Sequence, residues 1–263
     1  MATIIRVDES NAPQILKSLR VDVIKHVFAF YDLQHDPEHT IVYAAFKNRK
    51  LRGYILIYTA LDWTSVILES DQTSAKQLIA YAPEDHFIIH TPPDLSTIIK
   101  TRFPHSQDYL EDWMTVKKEE ARPVRSNLVH RLSSPQDSLE LAKLLTTRSD
   151  RPIGDQNKYD EWIRRMPMYG VFLDSELVAY AGSFIQLPQV WMIGGVFTNP
   201  TFRNRGYATL ATSAITEEAL RNAGIAALFV RSDNYAAIGA YGKIGYRKIG
   251  EKLWVDVGTG LRP

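Results

Sequence analysis

Two clusters in the second half of the chain have residue types and spacings suited to chemistry. The first is Arg203-Asn204-Arg205-Gly206-Tyr207-Ala208-Thr209, with two guanidinium groups, a glycine and no acid. Leu210, Ala211, Ala214, Ile215 and Ala219 follow at helical spacing, so this cluster opens a helix. Amides at a helix start lack acceptors within the helix, and the helix dipole favours negative charge there. A glycine lets an anion come close, and the arginines add charge, so the chemistry is phosphate binding. The second cluster is Asn234-Tyr235-Ala236-Ala237-Ile238-Gly239-Ala240-Tyr241, with Gly245-Tyr246 after it. Asn234, Ala237 and Tyr241 are spaced by three and four, which puts an amide, a small residue and a phenol on one helical stripe. Each also has an ordinary use: Asn234 as a helix cap, Tyr241 as a half-buried packing residue.

The elements that must position these groups can be read on either side. Val190–Thr198 is apolar and β-prone but contains Gly194-Gly195, the mark of a bulge or a close backbone approach. Asn199-Pro200 supplies a turn before the basic loop. Ala226–Val230 is a second strand, and Gly245 stops the helix that follows it. Strand, turn, loop, helix, strand, helix is the resulting order.

Composition narrows the setting. The 263 residues contain 31 Lys+Arg against 30 Asp+Glu, a formal charge of +1, so no global field draws the chain to nucleic acid or to a membrane. There is no cysteine, which excludes disulfides, a thiol nucleophile and thiolate metal sites. His86 and His90 flank a β-like run with no carboxylate pattern to complete a metal site, so no metal is expected. No apolar run has the roughly 20 residues of a spanning helix, and the first residues lack the regions of a signal peptide. A cytoplasmic protein is expected.

Arg203-x-x-Gly206-x-Ala208 resembles the Arg/Gln-x-x-Gly-x-Gly/Ala signature of the GNAT superfamily of N-acetyltransferases. Asn234-x-x-Ala237-x-x-x-Tyr241-x-x-x-Gly245-Tyr246 is similar to the motif that follows it, in the same order, and the likeness covers about residues 128–257. The resemblance implies acetyl-CoA as co-substrate, held between the strands Val190–Thr198 and Ala226–Val230. It implies that the backbone of Val196, Phe197 and Thr198 pairs with the pantetheine arm, and that the pyrophosphate sits on Arg203, Asn204, Arg205, Gly206, Tyr207, Ala208 and Thr209. Asn234 would steady the pantetheine, with Ala237 beside the cofactor on the same stripe. Tyr241 would be the catalytic acid, beside the thioester sulfur. The expected reaction is direct transfer of acetyl to a primary amine of a small molecule or peptide; a non-catalytic acyl-CoA sensor is the alternative. One departure matters: Met192, Ile193 and Gly194 stand where many members carry a glutamate base. Asp150, Asp155, Asp160 and Glu161 lie in the acceptor-side region, and none is assigned as base.

The first half repeats the order of elements without the motifs. IVYAAF, a turn near Lys47–Lys50 and LRGYILIY match GVFL, a turn near Asp174–Glu176 and LVAYAGSF, and Tyr54 and Tyr180 correspond at an offset of 126. A charged, proline-bearing seam at 117–127 separates the halves. The expected fold is therefore mixed α/β: two GNAT-like mixed β-sheets, helices on both faces, arising by tandem duplication. A degenerate domain at 1–120 would precede a catalytic domain at 127–263. This two-part order resembles the glycine N-acyltransferase-like branch. An exposed sheet edge would favour a homodimer.

Overall fold

The computed structural model describes residues 2–148 and 156–258. In chain order the first elements are β1 (Thr3–Arg6), α1 (Ala12–Leu19), α2 (Val27–His35), β2 (Thr40–Lys47), β3 (Lys50–Tyr58), β4 (Thr64–Ser70), α3 (Gln72–Leu78), β5 (Phe87–Thr91), α4 (Ser96–Arg102) and β6 (Gln107–Lys117). There follow β7 (Val129–Arg131), α5 (Pro135–Thr146), α6 (Gln156–Arg165), β8 (Met168–Leu173), β9 (Glu176–Gln186), β10 (Val190–Thr198), α7 (Tyr207–Asn222), β11 (Ile225–Arg231), α8 (Tyr235–Ile244) and β12 (Arg247–Val257). The mixed α/β architecture is the one expected from the sequence. Among the described residues no helix is long and apolar enough to cross a membrane.

The elements fall into two compact units. One holds residues 2–112, 231–233 and 250–258; the other holds 113–148, 156–230 and 234–249. In the first unit β1 to β4 run antiparallel in sequence, β4 is parallel to β5, and β5 pairs antiparallel with Leu253–Val257 of β12. Ile55, Leu68, Ile89 and Val255 pack with Ala75, Leu78 and Ile99 of α3 and α4 into one core. The opposite face is unusual. Tyr54 lies directly across from Glu69, and His90 is on the same face because it pairs with Ile67, two residues from Glu69. Glu69 pairs with Lys252 and, at 3.8 Å, with Lys25. His26 Nδ1 meets the Tyr54 hydroxyl at 3.0 Å, and His90 Nδ1 meets Glu111 at 3.5 Å.

In the second unit β7, β8, β9 and β10 are antiparallel neighbours, β10 is parallel to β11, and β6 lies beyond β11. The buried side of α7 (Ala211, Ile215, Ala219) and of α8 (Tyr241, Ile244) packs on Ala181, Ile193 and Leu228. Leu141 and Leu144 of α5 and Tyr159 and Ile163 of α6 pack instead on Tyr180 and Met168. The start of α5 is fixed by a reciprocal capping box between Ser134 and Asp137.

The repeat survives in backbone detail. Asn48 and Arg49 turn β2 into β3 with φ of 52° and 59°, and Asp174 and Ser175 turn β8 into β9 with φ of 46° and 71°, again 126 residues on. Two successive left-handed residues are the tight hairpin whose twist matches its strands. The last strand of each repeat is the exception. β12 completes the first unit's sheet and the end of β6 completes the second's, so a single cut between 120 and 127 would leave each half without the strand it uses. The seam itself is bound rather than loose. Arg122 N–H donates to Ile244 O at 2.7 Å, Val124 N–H to Ser213 Oγ at 2.7 Å, and Arg125 pairs with Glu217 at 2.9 Å.

Candidate functional site

β10 and β11 are paired only at their starts. Their parallel register runs Val190↔Ile225, Trp191↔Ala226 and Met192↔Ala227 and ends there, so residues 193–198 are held on the β9 side alone. Farther along, Gly194 pairs with Gly182 and Phe197 with Tyr180, which leaves Gly195 and Val196 opposite one residue. That is a bulge, and Gly195 adopts φ +65°, a backbone form that side chains resist. Val196, Phe197 and Thr198 are half-buried beyond it. The expected bulge is therefore present, at the place where the two strands separate.

The basic loop opens a helix as the sequence indicated. Asn199 Oδ1 accepts from Thr201 N–H at 3.1 Å, closing the turn at Pro200–Phe202. Arg203 Nε reaches Thr198 O at 3.4 Å, and the Arg205 guanidinium lies 5.5 Å from the Phe202 ring centre. Asn204 has φ +63°, and Gly206, at φ +83°, is the cap residue of α7. No side chain caps α7, and no acid occupies its first turn. The first turn's amides are thus presented without a side-chain acceptor, the arrangement that receives an anion. A Cβ on Gly206 would meet nothing within 4 Å, so its glycine identity follows from the left-handed backbone rather than from crowding within the chain.

The second cluster divides its duties. Asn234 Oδ1 accepts from Ala237 N–H at 3.1 Å, so the amide caps α8. Tyr241 is buried, its ring edge-on to Tyr246 at 6.0 Å, and burial pushes its phenol up to about 12. Val196, Tyr207, Ala237 and Tyr241 belong to one apolar cluster, which brings residues from both motifs together. Phe197 does not join them. Its side chain packs with the α5–α6 cluster, where the Arg148 guanidinium lies 5.0 Å from its ring centre.

Two of the acceptor-side acids are engaged elsewhere. Asp160 accepts from Ser138 Oγ, and Glu161 pairs with Arg165 at 2.7 Å. Asp150 and Asp155 lie outside the described residues. Sequence reasoning missed Ser183, whose hydroxyl is 3.0 Å from Met192 O and 3.1 Å from Ile185 O. Its only sequence signal was a small polar residue in an apolar strand. An open depression of about 350 Å³ on the same unit is lined by Glu140, Lys143, Thr147 and the β8–β9 turn. It shares only Asn199 with the stretch from β10 to α7 and holds a Glu140–Lys143 ion pair at 2.6 Å.

Residues 168–255 match a family model described as FR47-like protein. No curated protein matches the sequence. Among solved structures, a Drosophila protein superposes with a TM-score of 0.74 at 13% identity, over 98% of this chain and 99% of its own. A GCN5-related N-acetyltransferase from Sphaerobacter thermophilus gives a TM-score of 0.68 at 10% identity, over 99% and 96%. A tandem GNAT protein from the clavulanic acid biosynthesis pathway gives 0.61 at 10% identity, over 99% and 100%.

Proposed function

We propose that this chain, which has the GNAT acetyltransferase fold, moves an acyl group from acyl-CoA, acetyl in the first place, directly to a primary amine. The carrying observation is the uncapped, acid-free N-terminus of α7 behind a glycine at φ +83°, at the end of a strand that has parted from its parallel neighbour. Those features fit the cofactor's two chemistries. The amides of Tyr207, Ala208 and Thr209 with Arg203 and Arg205 suit the pyrophosphate. The open edge of Val196–Thr198 suits the pantetheine amides.

Attack of a neutral amine on the thioester carbonyl builds an oxyanion, which an amide near Val196–Phe197 would stabilise. Collapse breaks the C–S bond, and Tyr241 would stand beside the sulfur, as the resemblance of its motif implies. A phenol raised to about 12 keeps its proton throughout the neutral range. It is a weaker acid than a thiol near 8.5 by ~5 kcal/mol, so Tyr241 serves as a hydrogen-bond donor to the departing sulfur rather than by complete transfer. β10 carries no acid, so the amine must pass its proton to another group or through water, or arrive neutral. That absence favours a second reading, an acyl-CoA sensor that binds and releases its ligand unchanged. The first unit, lacking both motifs, would serve as a brace, in the two-part manner of the glycine N-acyltransferase-like branch.

Calorimetry with acetyl-CoA tests the reading, comparing wild type with Gly206→Glu. Micromolar binding abolished by the substitution, in a protein that still folds, supports it. Equal binding by both would remove the loop from the site, and turnover with amines separates enzyme from sensor.

A further inference from the structure

β9 has an irregularity of its own, one strand away from the separation of β10 and β11. Met192 pairs with Ile185 but Ile193 pairs with Ser183, so Phe184 is an extra residue in the register of β9 against β10. Such bulges re-aim a side chain. This one is built rather than loose. The buried Ser183 hydroxyl holds the carbonyls on both sides, at 3.1 Å from Ile185 O and 3.0 Å from Met192 O, and Gln186 Nε2 donates to Ser183 O at 2.6 Å.

The bulge lays the Phe184 ring over Gly194. A Cβ at Gly194 would stand 2.6 Å from the ring's Cε1 and 2.9 Å from its Cδ1. Gly194 is not among the residues with positive φ, so it is glycine to admit the ring and not to relieve the backbone. Yet Phe184 as a whole is 40% exposed. A β-strand thus gives up a side chain to seat an aromatic ring that does not finish in the core. The position is two residues past Met192, where β10 parts from β11. Phe197 lies on the same face, because Gly194 and Phe197 pair with Gly182 and Tyr180, two residues apart. The Arg148 guanidinium lies 5.0 Å from the Phe197 ring centre, so this face presents a second aromatic ring beside Phe184.

We propose that Phe184 is a specificity-determining wall of the acceptor site, and that the acceptor is an amine with an apolar body that packs on this ring. This rests on the acyltransferase reading above. With wild type and saturating acetyl-CoA, kcat/KM for 2-phenylethylamine should exceed that for ethanolamine and for putrescine by tenfold or more. Phe184→Ala should shrink the difference to twofold or threefold by raising KM for 2-phenylethylamine, leaving kcat and acetyl-CoA affinity unchanged, and Phe184→Leu should restore part of it. Gly194→Ala, which displaces the ring without removing it, should act like Phe184→Ala. Equal kcat/KM across the three amines, or a loss in Phe184→Ala that falls on all alike, overturns the inference and leaves the acyltransferase reading standing. Binding of acetyl-CoA without turnover of any amine overturns the inference in favour of a sensor. A folded wild type that does not bind acetyl-CoA overturns both.

Discussion

Glycine carries two different messages at three positions within thirteen residues of this chain. At Gly195 and Gly206 the backbone is left-handed, with φ of +65° and +83°. At Gly194 the backbone is ordinary, and the Phe184 ring takes the space of a side chain. The sequence marked all three positions and offered a bulge or the close approach of a ligand or backbone as the reason, but which reason holds at which glycine depends on φ and on a ring from another strand, both absent from a string of letters. Gly206→Ala therefore has a calculable effect: open space for the methyl, and about 1–2 kcal/mol of left-handed strain. Acetyl-CoA affinity should fall by about tenfold with a small change in melting temperature, as read by calorimetry beside thermal unfolding. Tyr241 was legible as a stripe member but not as a buried group. Tyr241→Phe should keep acetyl-CoA affinity and lower kcat roughly 10- to 100-fold, the worth of a hydrogen bond to a charged leaving group. Unchanged kcat would remove the phenol from the reaction.

At the scale of elements, hydrophobic period located the strands and helices, and the tight hairpins followed from polar residues between β-rich runs. Period could not reveal the charged face of the first unit. Glu69, His90, Glu111 and Lys252 sit in four strands far apart in sequence, and only the pairing of β4, β5, β6 and β12 puts them in one row. Burial acts on them in opposite senses. It pushes His90 down to about 4 and, working against Arg231, pushes Glu111 up to about 7. It also lowers His26 to about 4 and raises Asp32 to about 7. Between about pH 4 and 6.5 the unfolded histidines take up protons that the folded ones refuse, so their contribution to stability grows with pH. Between about pH 4.5 and 7 the folded Glu111 keeps a proton that the unfolded chain releases, so its contribution declines with pH. Glu111→Gln deletes only the second effect. Its stability relative to wild type should rise steadily from pH 4.5 to pH 7, measured as urea midpoints at several pH values. A constant offset would show that Glu111 is ionised in the folded protein.

At the scale of the whole molecule, the offset of 126 made a duplicated architecture readable, because hairpin turns and Tyr54 and Tyr180 keep their places in each copy. The exchange of last strands was not readable. β6 and β12 are both eleven-residue strands closing equivalent helix–strand sequences, and nothing local tells either which sheet to join. The consequence is that the chain's end stabilises its beginning. Leu253, Val255 and Val257 are all buried in the first unit's core, and Lys252 answers the buried Glu69. Each such apolar side chain is worth about 1.5–3 kcal/mol, and leaving Glu69 without its closer cation adds the cost of a buried charge. The sum is comparable to the ~5–15 kcal/mol that holds a domain folded. A chain ending at Ile249 should therefore lose the fold of residues 2–112 while most of residues 113–230 keep theirs. Limited proteolysis with mass mapping reads this directly: new cleavage should concentrate in β2–β5, more than 140 residues from the deletion. Cleavage confined to α8 would mean that the first unit closes its core without β12, and that the exchanged strand is an accessory to a domain complete at Asp112.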